Sequence, residues 1–151
     1  MVTTLSAHGL AIGLPAGWEG RIQRRVATAA AEQTRAVVHL ANFALPEERD
    51  DFGGEVTPTM RSPDVLVVLF EYGPESAAKP LFAAPGLPRV TAALFGSKRL
   101  QRPLPGQLGC QQFFTTNGRP FCLYVVAGSR AHLARIIADV NTVLAGVTVG
   151  P

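Results

Sequence analysis

Three histidines and two cysteines are the side chains of this sequence best suited to hold a metal ion or to act as nucleophiles. His8, His39 and His132 lie far apart along the chain, and none has a second ligand at the spacing of a metal-binding motif. We therefore expect the histidines to have structural roles, and we expect neither a metal nor a cofactor.

Cys110 and Cys122 flank the dipeptide Asn117-Gly118, which favours the two-residue turn of a β-hairpin. A turn at this point pairs Phe113 with Cys122. Cys110 then lies on the other face of the hairpin, roughly 10 Å away at about 3.4 Å per residue. A disulfide needs Cα atoms within about 7 Å. The sequence predicts two free, buried thiols, which are typical of a reducing compartment.

The remaining candidates for chemistry have simpler interpretations. Glu47 to Glu55 contains five acidic residues but lacks the alternating spacing of a calcium loop, so we interpret it as a solvated loop. Ser129 follows a strand and precedes a helix, which indicates a helix cap rather than a nucleophile. No nucleophile elbow, Walker loop or dinucleotide fingerprint is found in the sequence. We predict no catalytic residue.

Two continuous apolar runs indicate the central strands of the fold. Phe121 to Ala127 and Val65 to Tyr72 are apolar on both faces, so each should lie inside a sheet that is covered on both sides. Shorter strands are predicted at Leu10 to Leu14, Ile22 to Val26 and Val37 to Phe43. For Ala27 to Arg35, helix and loop are both open.

An amphipathic helix should follow the hairpin and pack on the sheet. Apolar residues recur there at helical spacing, and Gly146 is expected to end the helix in the left-handed conformation. The apolar positions are Leu133, Ile136, Ile137, Val140 and Leu144.

Length and composition indicate one folded domain. The chain has 151 residues, of which 47% are hydrophobic and 17% charged, which favours a compact, well-covered sheet over disorder. We predict a single α+β domain spanning residues 1–151, with a mostly antiparallel β-sheet, helices packed on its faces and an amphipathic C-terminal helix.

The segment from Gly73 to Gly109 contains six prolines, which exclude any long regular element. We expect a structured excursion, with a short helix or strand at Val90 to Phe95. Because rigid scaffolds commonly present their contacts on loops, Arg89, Arg99 and Arg102 are our candidate partner-binding residues.

The charge of the chain does not point to nucleic acid. The formal net charge is only +3, and the basic residues are not interleaved with exposed aromatic residues. Twelve arginines against two lysines are typical of a high-GC bacterial genome. The first residues lack the charged and apolar regions of a signal peptide, and the apolar runs are too short to span a bilayer. We expect a cytoplasmic protein with no membrane partner.

Trp18, the only tryptophan, follows the strand-breaking sequence Pro15-Ala16-Gly17. Together with the hairpin sequence Asn117 to Phe121 and the closing helix, the stretch from Gly13 to Trp18 resembles the Mog1/PsbP-like α/β/α sandwich superfamily. The resemblance implies an antiparallel sheet with helices on both faces and a protein that binds partners rather than catalyses reactions. No specific partner or functional residue can be transferred from it.

These observations favour a non-enzymatic cytosolic binding or adaptor module of a bacterium, whose partner is another protein or a second copy of this chain. The alternative is a small-ligand carrier or an enzyme with a groove near Trp18 and Tyr72. In that case an acid such as Glu71 would have a perturbed pKa within a convergent pocket.

Overall fold

A computed structural model describes residues 3–25, 35–46 and 56–151 of the chain. Within these ranges the chain forms a three-stranded sheet, a five-stranded sheet and one α-helix, so the α+β prediction is confirmed. The elements are β1 (Thr3–Ala7), β2 (Leu10–Leu14), β3 (Glu19–Arg25), β4 (Arg35–Ala41), β5 (Val65–Glu71), β6 (Leu108–Thr116), β7 (Arg119–Ala127), α1 (Leu133–Ala145) and β8 (Val147–Val149). The predicted acidic loop at 47–55 and most of the uncertain segment at 27–35 lie outside the described residues.

The β6–β7 hairpin has the predicted register. Asn117 and Gly118 both have positive φ angles, 50° and 75°, as a type I′ turn requires. Thr116 pairs with Arg119 and Phe113 with Cys122. The hairpin prediction is therefore confirmed residue by residue.

Both continuous apolar runs occupy the interior of the five-stranded sheet, as predicted. The strand order is β3-β4-β5-β7-β6, so β5 and β7 are neighbours with a strand on each outer side. Their residues from Val65 to Phe70 and from Phe121 to Ala127 are all buried. The three-stranded sheet, β1-β2-β8, joins the first two strands of the chain to the last.

Helix α1 and the three-stranded sheet cover one face of the five-stranded sheet. Ile136, Val140 and Val143 of α1 share a core cluster with alternate residues of β4, β5 and β7, whereas Ile137 is only partly buried against it. The prediction that Gly146 ends the helix in the left-handed conformation is wrong, since its φ is −88°. Glycine is needed there because a Cβ would lie 2.7 Å from the Gly13 carbonyl oxygen.

Loops and short 3-10 helices cover the opposite face. Val37, Leu66 and Val126 belong to this second core cluster. Tyr72 packs at its end in an aromatic group, with its ring centroid 5.0 Å from that of Phe70 and 5.1 Å from that of Phe82. The larger sheet is therefore covered on both faces.

The proline-rich segment wraps around β6, the edge strand of the larger sheet. Thr115 of β6 exchanges backbone hydrogen bonds of 2.9 Å with Ala84 and Gly86, and Gly109 exchanges two of 2.9 Å with Gly96. Between these crossings the segment passes over the helix-covered face, where the expected short element is a 3-10 helix, Ala92–Leu94. The excursion protects an otherwise open sheet edge.

A partly buried ion pair joins the two sheets at one end. Arg119 donates from Nε and Nη2 to the two carboxylate oxygens of Glu71, both at 2.8 Å. Its remaining contacts run to the carbonyl oxygens of Gly150, at 3.2 Å, and His8, at 3.0 Å. One guanidinium therefore links β5, the β1–β2 turn and the residue after β8.

The Arg119→Met variant should lose about 3 kcal/mol of unfolding free energy. The reason is that Glu71, whose side chain is only 12% exposed, would be left without its cation. Urea denaturation measures the loss, and the exposed Arg130→Met serves as the control, with a change within about 0.5 kcal/mol. Equal losses in the two variants would contradict the proposed link between the sheets.

The two cysteines are free and buried, as predicted. Cys110 belongs to the core cluster under α1, and Cys122 belongs to the cluster on the opposite face. Burial raises the pKa of the Cys110 thiol to about 11 and that of Cys122 to about 12. Both thiols are therefore protonated at neutral pH.

The stability of the fold should decrease at alkaline pH because of these thiols. The unfolded chain releases the thiol protons near the ordinary pKa of 9.0, whereas the folded chain retains them. The unfolding free energy contributed by the thiols should be constant below pH 9.0 and fall as the pH rises through the pKa values of the folded thiols, about 11 for Cys110 and about 12 for Cys122. Urea titrations across this range should show a shallower decrease for the Cys110→Ala/Cys122→Ala variant, and identical slopes would refute the assignment.

Candidate functional site

A cleft of about 520 Å³ opens between the β2–β3 turn, the loop before β5 and the first half of α1. It lies at the end of the larger sheet where β3 and β5 begin and β4 ends. Its walls come from Trp18 on the turn, Arg61 and Asp64 on the loop, and Arg135 and Asp139 on the helix.

The β2–β3 turn positions Trp18 at the cleft. The Trp18 backbone N–H donates to the Pro15 carbonyl oxygen at 3.2 Å, and Gly17 provides the positive φ, 84°, that this tight reversal needs. The indole is partly buried against the core, and the buried Ile136 of α1 also lines the cleft. An aromatic wall and an aliphatic floor therefore face the same space.

Hydrogen bonds fix the loop that forms the second wall. The Asp64 carboxylate, 6% exposed, accepts the Arg61 backbone N–H at 2.8 Å. Asn42 accepts the N–H of Val65 at 2.9 Å and donates to the Pro63 carbonyl oxygen at 3.1 Å. The loop is therefore held to the ends of β4 and β5, and it presents Arg61 at a defined position.

The charged groups of the cleft are arranged by depth. The side chains of Arg61 and Arg135 are 78% and 85% exposed, whereas those of their acidic neighbours, Asp64 and Asp139, are 6% and 43% exposed. The closest nitrogen–oxygen distances are 3.6 Å and 3.8 Å, too long for strong hydrogen bonds. The two arginine side chains therefore extend further into solvent than the carboxylates beside them.

A chain of hydroxyl groups and an imidazole lies beside the cleft. The Oγ atoms of Ser62 and Ser129 are 2.7 Å apart, and Ser62 Oγ is 3.1 Å from His132 Nδ1. Ser129 also donates to the Ser62 carbonyl oxygen at 3.0 Å. The prediction that Ser129 caps the helix is wrong, because α1 begins at Leu133 after His132, with no side-chain cap.

Among the described residues, this hydroxyl–imidazole arrangement has no third member of a catalytic triad. Within the described ranges, no carboxylate forms a hydrogen bond with His132, although a triad needs an acid to orient the imidazole. Because Ser129 bonds a backbone carbonyl, the arrangement ties the 61–64 loop to the start of α1. Its evident effect is to hold two walls of the cleft together.

The structure separates the two aromatic residues of the expected groove. Trp18 lies at the cleft, whereas Tyr72 packs at the opposite end of the larger sheet in the loop-covered cluster. Glu71, the expected perturbed acid, is paired with Arg119. The prediction of a single groove near both Trp18 and Tyr72 is therefore wrong. The cleft beside Trp18 is lined by other residues.

The predicted partner-binding arginines lie along the proline-rich segment, outside the cleft lining. Arg99 and Arg102 are exposed near the start of β6, and Arg99 donates to the Leu94 carbonyl oxygen at 3.1 Å. Arg89 is exposed next to Val90, whose backbone exchanges hydrogen bonds with Asn141 of α1. Their role in partner binding stays a prediction.

Sequence reasoning missed most of the cleft residues. Arg61, His132 and Arg135 come from two segments about 70 residues apart, and no local pattern shows that they meet. The two available signals were the turn before Trp18 and the Pro63-Asp64 start of β5, both of which mark chain reversals at this end of the sheet.

Comparison with family models, with curated proteins and with solved structures found no match for this chain. The resemblance to the Mog1/PsbP-like superfamily stays a prediction. In the described part of the chain, no helix has the length and apolar character needed to cross a membrane.

Proposed function

We propose that this protein is a cytosolic binding or adaptor module of a bacterium that holds an extended segment of another protein in the Trp18 cleft. One observation carries the proposal: an aromatic wall and an aliphatic floor lie between two arginines whose side chains extend into solvent. Tryptophan and arginine are the residue types that most often dominate the binding energy of protein interfaces.

The charged residues around the cleft indicate what kind of protein segment it would bind. Arg61 and Arg135 are exposed at the rim, so they would meet acidic side chains that approach the cleft. Trp18 and Ile136 would take an apolar side chain between them. The preferred occupant is therefore a segment in which acidic residues flank an apolar or aromatic one.

The proposed cytosolic location rests on the thiols. Cys110 and Cys122 are unpaired in the fold, and free thiols are the usual state of cysteine in a reducing compartment. The proposed bacterial origin rests on the excess of arginine over lysine.

A small-ligand carrier is the second candidate because of the cleft's size. Its volume of about 520 Å³ lies within the range of about 300 to 1,000 Å³ that is usual for small-molecule sites. A small aromatic carboxylate would match the indole and the two arginines.

Selection of displayed peptides tests the first candidate. Random peptides without tryptophan should yield binders that carry acidic residues beside an apolar one, and the fluorescence of Trp18, the only tryptophan, measures their affinity. The Arg61→Glu/Arg135→Glu variant should bind at least about tenfold more weakly, since attraction at the rim becomes repulsion.

The matched control reverses two exposed arginines of the proline-rich segment. Arg99→Glu/Arg102→Glu should leave the peptide affinity unchanged, and a loss confined to this control would transfer the binding surface to that segment. If no selected peptide binds saturably while phenylacetate does, the small-ligand candidate replaces the adaptor. If neither a selected peptide nor phenylacetate binds saturably, both the adaptor and the small-ligand candidate are overturned.

A further inference from the structure

Within the described ranges the two sheets have four edge strands, and three of them are closed to a further strand. The proline-rich segment crosses β6, as described above. β3 carries Glu19, Arg21 and Arg24, and charged side chains on an edge strand oppose pairing with another chain. β8 has only three residues, and the Asn117 side chain donates to the carbonyl oxygen of Val149.

β1 is the edge strand that lacks such protection. Its sequence, Thr-Thr-Leu-Ser-Ala, contains neither a charge nor a proline, and Thr3, Thr4 and Ser6 are exposed. It pairs with β2 on one side, and no other part of the described chain forms a backbone hydrogen bond with it. An uncharged, exposed edge of this kind is a template for a further strand.

The geometry of the β1–β2 hairpin determines which backbone groups of β1 are available. The turn between Ala7 and Leu10 has two residues, with positive φ angles of 52° and 78°. Ala7 and Leu10 therefore form a hydrogen-bonded pair, as the residues that flank a two-residue turn do. Hydrogen-bonded and non-bonded pairs alternate along an antiparallel ladder. The N–H and C=O groups of Thr4 and Ser6 therefore point away from β2.

We propose that β1 pairs with the β1 strand of a second copy, in antiparallel orientation, and so joins the smaller sheets of a dimer into one continuous sheet. With Leu5 of both copies at the two-fold axis, Thr4 of each copy lies opposite Ser6 of the other. Each of these pairs then exchanges two backbone hydrogen bonds. The strand is complementary to itself, as a two-fold interface requires.

The side chains of β1 favour a second copy as the partner. Because the strand carries no charge, two copies meet without like-charge repulsion. Thr4 and Ser6 share one face, where hydroxyl groups on opposite strands can form hydrogen bonds. On the other face, Leu5 packs beside Gly20 and is only partly buried. Leu5 of the second copy would cover its remaining exposed part.

Sedimentation equilibrium of the full chain over a wide range of protein concentration tests the proposal. The mean mass should rise from that of one chain to that of two and then stay constant, because a two-fold interface uses the free edge of both copies. The mass of a single chain at every concentration would overturn the proposal. Growth beyond two copies would also overturn it.

The Thr4→Lys/Ser6→Lys variant locates the interface. It should dimerise at least about tenfold more weakly, because the introduced charges of the two copies lie directly opposite each other. Its unfolding midpoint at low concentration should be unchanged, since both positions are exposed. The control Thr148→Lys changes an exposed residue of β8 in the same sheet and should dimerise normally. Normal dimerisation of the β1 variant, or equal weakening by the control, would overturn pairing through β1.

Opposite charges should restore the pairing. The Thr4→Glu/Ser6→Glu variant should also dimerise weakly alone, whereas its equimolar mixture with Thr4→Lys/Ser6→Lys should form mixed dimers, since opposite charges then face each other. Failure of the mixture to associate would overturn the register. If the unchanged protein stays a single chain while the β1 lysines weaken a selected peptide, β1 binds a strand of another protein and self-pairing is overturned. β1 does not line the Trp18 cleft, so these outcomes are separate from those of the cleft variants.

Discussion

The ion pair between Glu71 and Arg119 is the constraint on which the arrangement of the two sheets depends. Glu71 ends β5, Arg119 begins β7, and the same guanidinium holds the β1–β2 turn and the residue after β8. The guanidinium also lies 5.6 Å from the centroid of the Phe121 ring, at the edge of the core. A lysine ammonium could not satisfy these separate acceptors in one plane. One planar side chain therefore ties the smaller sheet to the larger one at this end, in addition to the core packing of Leu10, Ile12 and Leu14.

The proline-rich segment has a structural role that its sequence did not reveal. Its two crossings of β6 occupy backbone groups that an edge strand would otherwise offer to another chain. The segment also packs on both faces of the sheet, through Val90 on one face and through Phe82 and Leu100 on the other. The irregular loop is therefore part of the core.

The sequence predicted features that depend on local chemistry. Asn117-Gly118 determined the hairpin register, and the apolar runs identified β5 and β7, because turn geometry and burial act over a few residues. The hairpin register also separated the two thiols correctly. The predictions of a Ser129 cap and of a left-handed Gly146 were wrong. Contacts with residues distant in sequence, Ser62 and Gly13, determine the conformation at those two positions. The cleft itself could not be predicted, since it requires the 61–64 loop and α1 to be placed side by side.

The pairing of β2 with β8 has a consequence for how the chain folds. Leu10 lies opposite Val149, so the smaller sheet is completed by residues from the two extremes of the described chain. Until β8 is in place, Leu10, Ile12 and Leu14 lack one of the strands that hold them over the larger sheet. Closing such a long loop is slow, because its entropy must be lost before any contact compensates for it. The hairpin can form locally, whereas the smaller sheet is complete only when these two distant segments of the chain have met.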